Sequence, residues 1–208
     1  MFTRNRTFLL LPAALAGTLF LAACGGDGED AAPTTEQTTP SAEFNDTDVE
    51  FARMMIPHHE QAIEMSDLAE KNDAGEQVQE LADRISAAQG PEIEQLRNML
   101  EAWGEEPAAD DADHGGHGMM TGGQMADLEK ATGDEFDRLF LELMIEHHEG
   151  AVHMAQEEID DGVNPEATRM AEDIVDAQEG EIAEMKEMLG DSGTDGDAAG
   201  DGDEHGGH

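Results

Sequence analysis

The sequence predicts an all-α protein: an antiparallel four-helix bundle assembled from two repeated helical hairpins. Three observations predict it. The phrase Met55-Ile-Pro-His-His-Glu-Gln-Ala-Ile-Glu-Met65 returns as Met144-Ile-Glu-His-His-Glu-Gly-Ala-Val-His-Met154, at an offset that holds without a gap from Phe51/Phe140 to Leu100/Leu189. Within each copy, apolar residues recur at the three- and four-residue spacing of a helix with one buried face. The segments joining those periodic stretches are short, so consecutive helices fold back on each other. One hairpin cannot bury its apolar face alone, and two equivalent hairpins can bury theirs together.

Residues 1–23 read as a signal peptide, with Arg4 and Arg6 ahead of the apolar stretch from Phe8 to Ala23. That stretch falls short of the roughly 20 apolar residues a membrane-spanning helix needs. It ends in Leu21-Ala22-Ala23-Cys24-Gly25-Gly26, which resembles a bacterial lipobox. Cleavage there makes Cys24 the lipidated first residue and tethers the mature chain to the outer face of the cell membrane. Cys24 is the only cysteine, which excludes internal disulfides and Cys-ligated metals. Residues 24–45 are rich in Thr, Pro, Asp, Glu and Gly and read as a disordered tether; the Asp/Gly/His tail at 191–208 reads the same way. Residues 46–190 remain for the bundle: repeat one at 46–103, a linker at 104–131 and repeat two at 132–190.

The first helix is expected to open at Thr47, with Glu50 completing a capping box, and to run to about Lys71. Asp73 with Glu76 repeats that signal for a second helix ending near Ala102. A short helix is expected at about Gln124 to Lys130. The third long helix begins near Thr132, with Glu135, and ends by Asp161-Gly162. Asn164-Pro165 opens the fourth, since proline suits the first helical position, and Leu189-Gly190 ends it. On the first helix Phe51, Met55, His58, Ala62, Met65 and Ala69 form one stripe, flanked by Ile56, His59 and Ile63. Pro57 and Pro91 should kink their helices. Their counterparts are Glu146 and Gly180, so the kinks are not shared.

Ten basic against fifty acidic residues give a formal net charge of −40. Nucleic acid is excluded as a partner, because phosphate binding needs a basic face. The acidity solvates the surface and concentrates cations around it.

The His-His pairs carry the chemistry. His58 and His147 fall within the apolar stripes, and His59 and His148 lie about 100° further round. Met55 and Met144, one turn earlier, share their side of the helix. Imidazole with thioether suits copper, and thioether favours Cu(I) in particular. On the partner helices Gln89 and Glu92 interrupt the stripe of Ile85 and Leu96, as Gln178 and Glu181 interrupt that of Ile174 and Met185. Buried polar groups need partners, so these four either orient the imidazoles or, in the case of the two glutamates, ligate directly.

Two further tracts, His114-Gly-Gly-His117-Gly-Met119-Met120 and His205-Gly-Gly-His208, read as metal-capture arms or as low-complexity sequence with chance histidines. His153 stands where the first copy has Glu64 and should face outward. Di-iron bundles use Glu-x-x-His, and no histidine of either motif has Glu three residues before it. No nucleophile elbow, phosphate loop or zinc-protease motif occurs, so no catalytic residue is assigned.

The repeated phrase, with Ala88-Gln89-x-x-Glu92-Ile93 and Ala177-Gln178-x-x-Glu181-Ile182, resembles the domain-of-unknown-function-305 family over about Asp46 to Gly190. The resemblance implies a ferritin-like four-helix bundle, secreted or lipid-anchored, in a family with some members associated with copper binding and resistance. By motif match it implicates Met55, His58, His59, Met65, Met144, His147, His148 and Met154. The expectation is an extracytoplasmic, lipid-anchored protein that sequesters or delivers copper, as Cu(I) or Cu(II). The alternative is a structural or interaction module whose inward polar residues hold the bundle in register. Ligating imidazoles must be deprotonated, so binding is expected to weaken as pH falls through the ordinary His range near ~6.5.

Overall fold

A computed structural model describes residues 43–108 and 116–192. The expectations for the signal segment, Cys24, most of the tether, His114, and the tail from 193 on with His205 and His208 lie outside the described residues. Among the described residues there are five helices and no strand: α1 (Asp46–Lys71), α2 (Glu76–Trp103), the short α3 (Gly122–Leu128), α4 (Asp134–Asp161) and α5 (Pro165–Ser192). The architecture is the expected one, with α1 packed on α2, α4 on α5, and the two hairpins meeting chiefly through α1 and α4.

Three of the long-helix starts differ from expectation, and each difference has a tertiary cause. The capping box of α1 is Asn45 with Asp48, not Thr47 with Glu50. Asp48 also accepts from the backbone N–H of Asn164, at 2.8 Å, and so is fixed by the other hairpin. The cap of α2 is Gly75, not Asp73, which sits in a left-handed turn at φ 54°. Gly75 N donates to both carboxylate oxygens of Asp137 at 3.0 Å. The cap of α4 is Gly133, at φ 58°, not Thr132, and its N–H donates to Asn72 O at 2.9 Å. Asn164 caps α5 as expected, accepting from Glu166 N and Ala167 N, and α5 runs on to Ser192. The short helix starts and ends two residues earlier than expected, held by a Thr121/Gln124 capping box. Pro57 and Pro91 lie inside α1 and α2 without ending either helix.

The Asp48–Asn164 and Asp137–Gly75 bonds occupy matching positions in the two repeats. Each hairpin thus caps the second helix of the other. A matched pair of surface ion pairs, Arg97 with Glu60 and Lys186 with Glu149, ties each hairpin internally; such exposed pairs contribute at most about 1 kcal/mol each.

The apolar core is divided in two. One cluster joins the C-terminal half of α1 to the N-terminal half of α4 and includes Met65, Leu81, Ile85, Phe136, Phe140 and Met144. The other joins the N-terminal half of α1 to the C-terminal half of α4 and includes Phe51, Met55, Leu96, Leu100, Met154 and Ile174. Between them, at the middle of all four long helices, lies a layer of buried polar side chains: His58, His59, Gln89, His147, His148 and Gln178.

Candidate metal centre

Helical periodicity alone places His58 and His147 in this layer. The antiparallel crossing of α1 and α4 brings them face to face, with ring centroids 3.7 Å apart and planes tilted by 40°. His59 and His148, expected at the margin, are as fully buried as the central pair. The two motifs therefore converge on one region of the core. The methionines flank it from both sides: Met55 of α1 and Met154 of α4 share one apolar cluster, and Met65 and Met144 share the other.

Hydrogen bonds determine which nitrogen of each ring is available. His59 Nε2 lies 2.7 Å from Glu92 Oε2, and His148 Nε2 lies 2.7 Å from Glu181 Oε2. A carboxylate accepts, so Nε2 of each ring donates, and in the neutral ring this leaves the lone pair on Nδ1. His58 Nε2 donates to the carbonyl of His117 at 2.9 Å, with the same consequence. The Nδ1 atoms of His58, His59 and His148 are buried without a hydrogen-bond partner in the protein, as are both ring nitrogens of His147. Burying such a polar atom unpaired costs about 1–3 kcal/mol. The carbonyl oxygens of Gln89 and Gln178 are also buried and unpaired. The two glutamates thus orient imidazoles, whereas the two glutamines lie in the layer with their oxygens uncommitted.

Burial, reinforced by neighbouring His59, lowers the His58 pKa to about 3. His147 is held well below its ordinary value by burial and then by His58. Both rings are neutral across the physiological range, with lone pairs free to bind. For these two, proton competition is displaced well below the expected window near 6.5.

The linker closes over one side of the layer. His117 and Gly118 have positive φ, at 52° and 79°. A Cβ on Gly150 would overlap the His117 carbonyl, and one on Gly118 would overlap the Glu146 carbonyl. Gln61 of α1 holds Met120, with Met120 N donating to its Oε1 at 2.7 Å and its Nε2 donating to Met120 O at 3.0 Å. Met120 is buried and Met119 half-buried. Of the expected capture arm, the described part is packed against the bundle.

Among the described residues, one set of three His, Cys, Asp or Glu side chains has ligand atoms all within 4.8 Å of one another: exposed His117, His153 and Glu157. The four core histidines do not form such a set. Sequence reasoning placed His153 outward, where it is, and did not connect it to His117. Two signals were available: Glu157 one helical turn from His153, and a glycine at 150 in a helix interior, where close approach of another backbone is a common reason.

The fold and this layer define a class: all-α bundles of two His-His hairpins with an internal imidazole layer flanked by thioethers. The chain belongs to the DUF305 family, "Domain of unknown function (DUF305)", which matches residues 48–189. A DUF305 protein of Streptomyces coelicolor, described as a candidate secreted protein, is similar in structure with TM-score 0.66 and 31% identity, over 71% of this chain and 94% of that one. A DUF305 fragment from Deinococcus radiodurans matches with TM-score 0.66 and 32% identity, over 71% and 98%. CopM in its Cu(I)-bound form matches with TM-score 0.61 and 30% identity, over 69% and 96%; CopM structures with Cu(II) and with silver are also similar. No curated protein matches the chain.

Proposed function

We propose that the chain is an extracytoplasmic copper-binding protein, anchored by a lipid on Cys24, that sequesters the metal or hands it on. The observation that carries the reading is the set of buried imidazoles with Nε2 committed to an acceptor and Nδ1 left without one. Second-sphere acceptors that fix a histidine's tautomer are typical of metal sites, and an unpaired buried nitrogen otherwise only destabilises. The candidate donors are the Nδ1 atoms of His58, His59 and His148 and a ring nitrogen of His147. No three of them lie within 4.8 Å of one another, so without rearrangement an ion draws on at most two of these imidazoles, completed by thioethers. The thioethers of Met55, Met65, Met144 and Met154, on the two sides of the layer, favour Cu(I). Binding of copper by CopM, similar to this chain over most of that protein's length, supports copper as the cargo. The secreted description of the Streptomyces coelicolor relative supports the location. Gln89 and Gln178 border the centre, and the Gly/His segments with His114, His117, Met119, Met120, His205 and His208 serve as auxiliary recruiters.

The test is competitive titration of the full mature chain with Cu(I), beside a variant with both His-His pairs replaced by Ala-Ala. The variant should lose high-affinity uptake; retention of the wild-type affinity refutes the core site. The alternative, a structural module, is favoured by one observation: the His59–Glu92 and His148–Glu181 bonds tie neighbouring helices together without metal. In that case copper leaves the melting temperature unchanged. On the copper reading it raises it, by about 2.7 kcal/mol of stability at one hundred times the Kd.

A further inference from the structure

We propose that His117, His153 and Glu157 form a second, solvent-facing site for a divalent transition-metal cation, separate from the core centre and present in only one half of the molecule. Their ligand atoms all lie within 4.8 Å of one another. His153 Nδ1 stands 3.7 Å from Glu157 Oε1, and the His117 and His153 rings meet edge to face at 5.7 Å. Two imidazole nitrogens and a carboxylate oxygen are the donor set of borderline divalent ions such as Cu(II) and Zn(II), with a position left open to water. No thioether belongs to the set, so its preference differs from that of the core.

Exposed carboxylates and histidines often lie near one another without purpose. Here the three come from two segments, and both are fixed. His153 and Glu157 are one turn apart on α4, which aligns them on one face. His117 is presented by a backbone that cannot easily move. Its left-handed φ, the close approach of Gly118 and Gly150, and the bond from His58 Nε2 to its carbonyl hold it against α4. A cavity of about 50 Å³ adjoins the site, lined by His117 and Glu157 together with Met54 and Met154. The site thus opens toward thioethers at the edge of the core, and His117 contributes its ring to the surface site and its carbonyl to a core imidazole. The first repeat has no equivalent: Glu64 and Leu68 occupy the positions of His153 and Glu157.

This proposal does not depend on copper in the core, and its test separates the two. Full-length protein freed of metal is titrated with Cu(II) by calorimetry and followed by electron paramagnetic resonance, beside the surface variant His153→Ala/Glu157→Gln. The variant should bind one fewer equivalent of Cu(II) and lose the nitrogen splitting of that population, while Cu(I) uptake and the melting temperature of the metal-free protein stay as in the wild type. Unchanged Cu(II) stoichiometry overturns the site. A parallel loss of Cu(I) uptake also overturns it, because the residues would then belong to the core centre.

Discussion

The two halves of the bundle carry one motif and bury it equally, yet the described part of the linker crosses only one side of the histidine layer. Glu92 faces His59 as Glu181 faces His148, each at 2.7 Å. Asp48 caps one partner helix and Asp137 the other. Two of the positions at which the copies diverge lie where residues 117–120 run. Gln61 bonds to Met120 where the second copy has Gly150 beneath the His117 carbonyl, and Glu64 is replaced by His153, whose ring meets His117. The duplication accounts for the layer of imidazoles, and the crossing segment accounts for the differences at Gln61/Gly150 and Glu64/His153.

The largest effect should come from the position where the crossing segment approaches α4 most closely. Gly150→Ala drives a methyl group into the His117 carbonyl, so the segment must lift and the His58 Nε2 acceptor goes with it. We expect a loss of about 3 kcal/mol in urea unfolding, the upper range for overpacking. Gln61→Ala at the matching position removes two hydrogen bonds and should lose only about 1–2 kcal/mol. A Gly150→Ala protein as stable as Gln61→Ala would remove the clasp from the comparison.

The next prediction concerns the symmetry itself. On the proposed copper reading, Glu92→Gln and Glu181→Gln each remove the carboxylate that fixes an imidazole, and each should weaken Cu(I) binding by about 10- to 100-fold, the usual effect of an outer partner. The two factors should agree. A large loss for one and none for the other would show that a single half holds the metal.

A third prediction uses a carboxyl group found in one half only. Burial, and then the Asp48 carboxylate beside it, raise the Glu158 pKa to about 8; the first copy has Ala69 at that position. A pKa raised on folding stabilises the protein fully below the unfolded value near 4.5 and less and less as pH rises through about 8. His58 works in the opposite direction. Its lowered pKa leaves stability intact above 6.5 and erodes it as pH falls toward about 3. Between pH 6.5 and 8, of these two groups only Glu158 contributes a slope. In chelated protein the melting temperature should fall with pH across that window, and Glu158→Gln should flatten the fall. Persistence of the slope in the variant would assign it elsewhere.

The layer was legible in the sequence because it rests on helical period, the one signal a repeat doubles. His58, His147, Gln89 and Gln178 each lie on an apolar stripe, and burial follows from that placement. The starts at Thr47, Asp73 and Thr132 were misread because the local capping signals there compete with partners from other segments: Asp48 answers to Asn164, Gly75 to Asp137 and Gly133 to Asn72. The His117, His153 and Glu157 set was hidden for a related reason. No periodicity encodes the path of a linker, and the glycine that admits it is informative only once the crossing is known.

The smallest effect tests those reciprocal caps. Asp48 is fully buried and accepts from Asn45, Val163 and Asn164, so Asp48→Ala leaves donors unpaired inside the protein and should lose about 2 kcal/mol. Asp137 makes the matching bonds to Gly75 near the surface, where water replaces a lost acceptor. Asp137→Ala should therefore lose only about 0.5–1 kcal/mol, in the range of an exposed cap. Equal losses would mean that burial does not distinguish the two ends, and that the matched geometry of the repeats extends to their energetics.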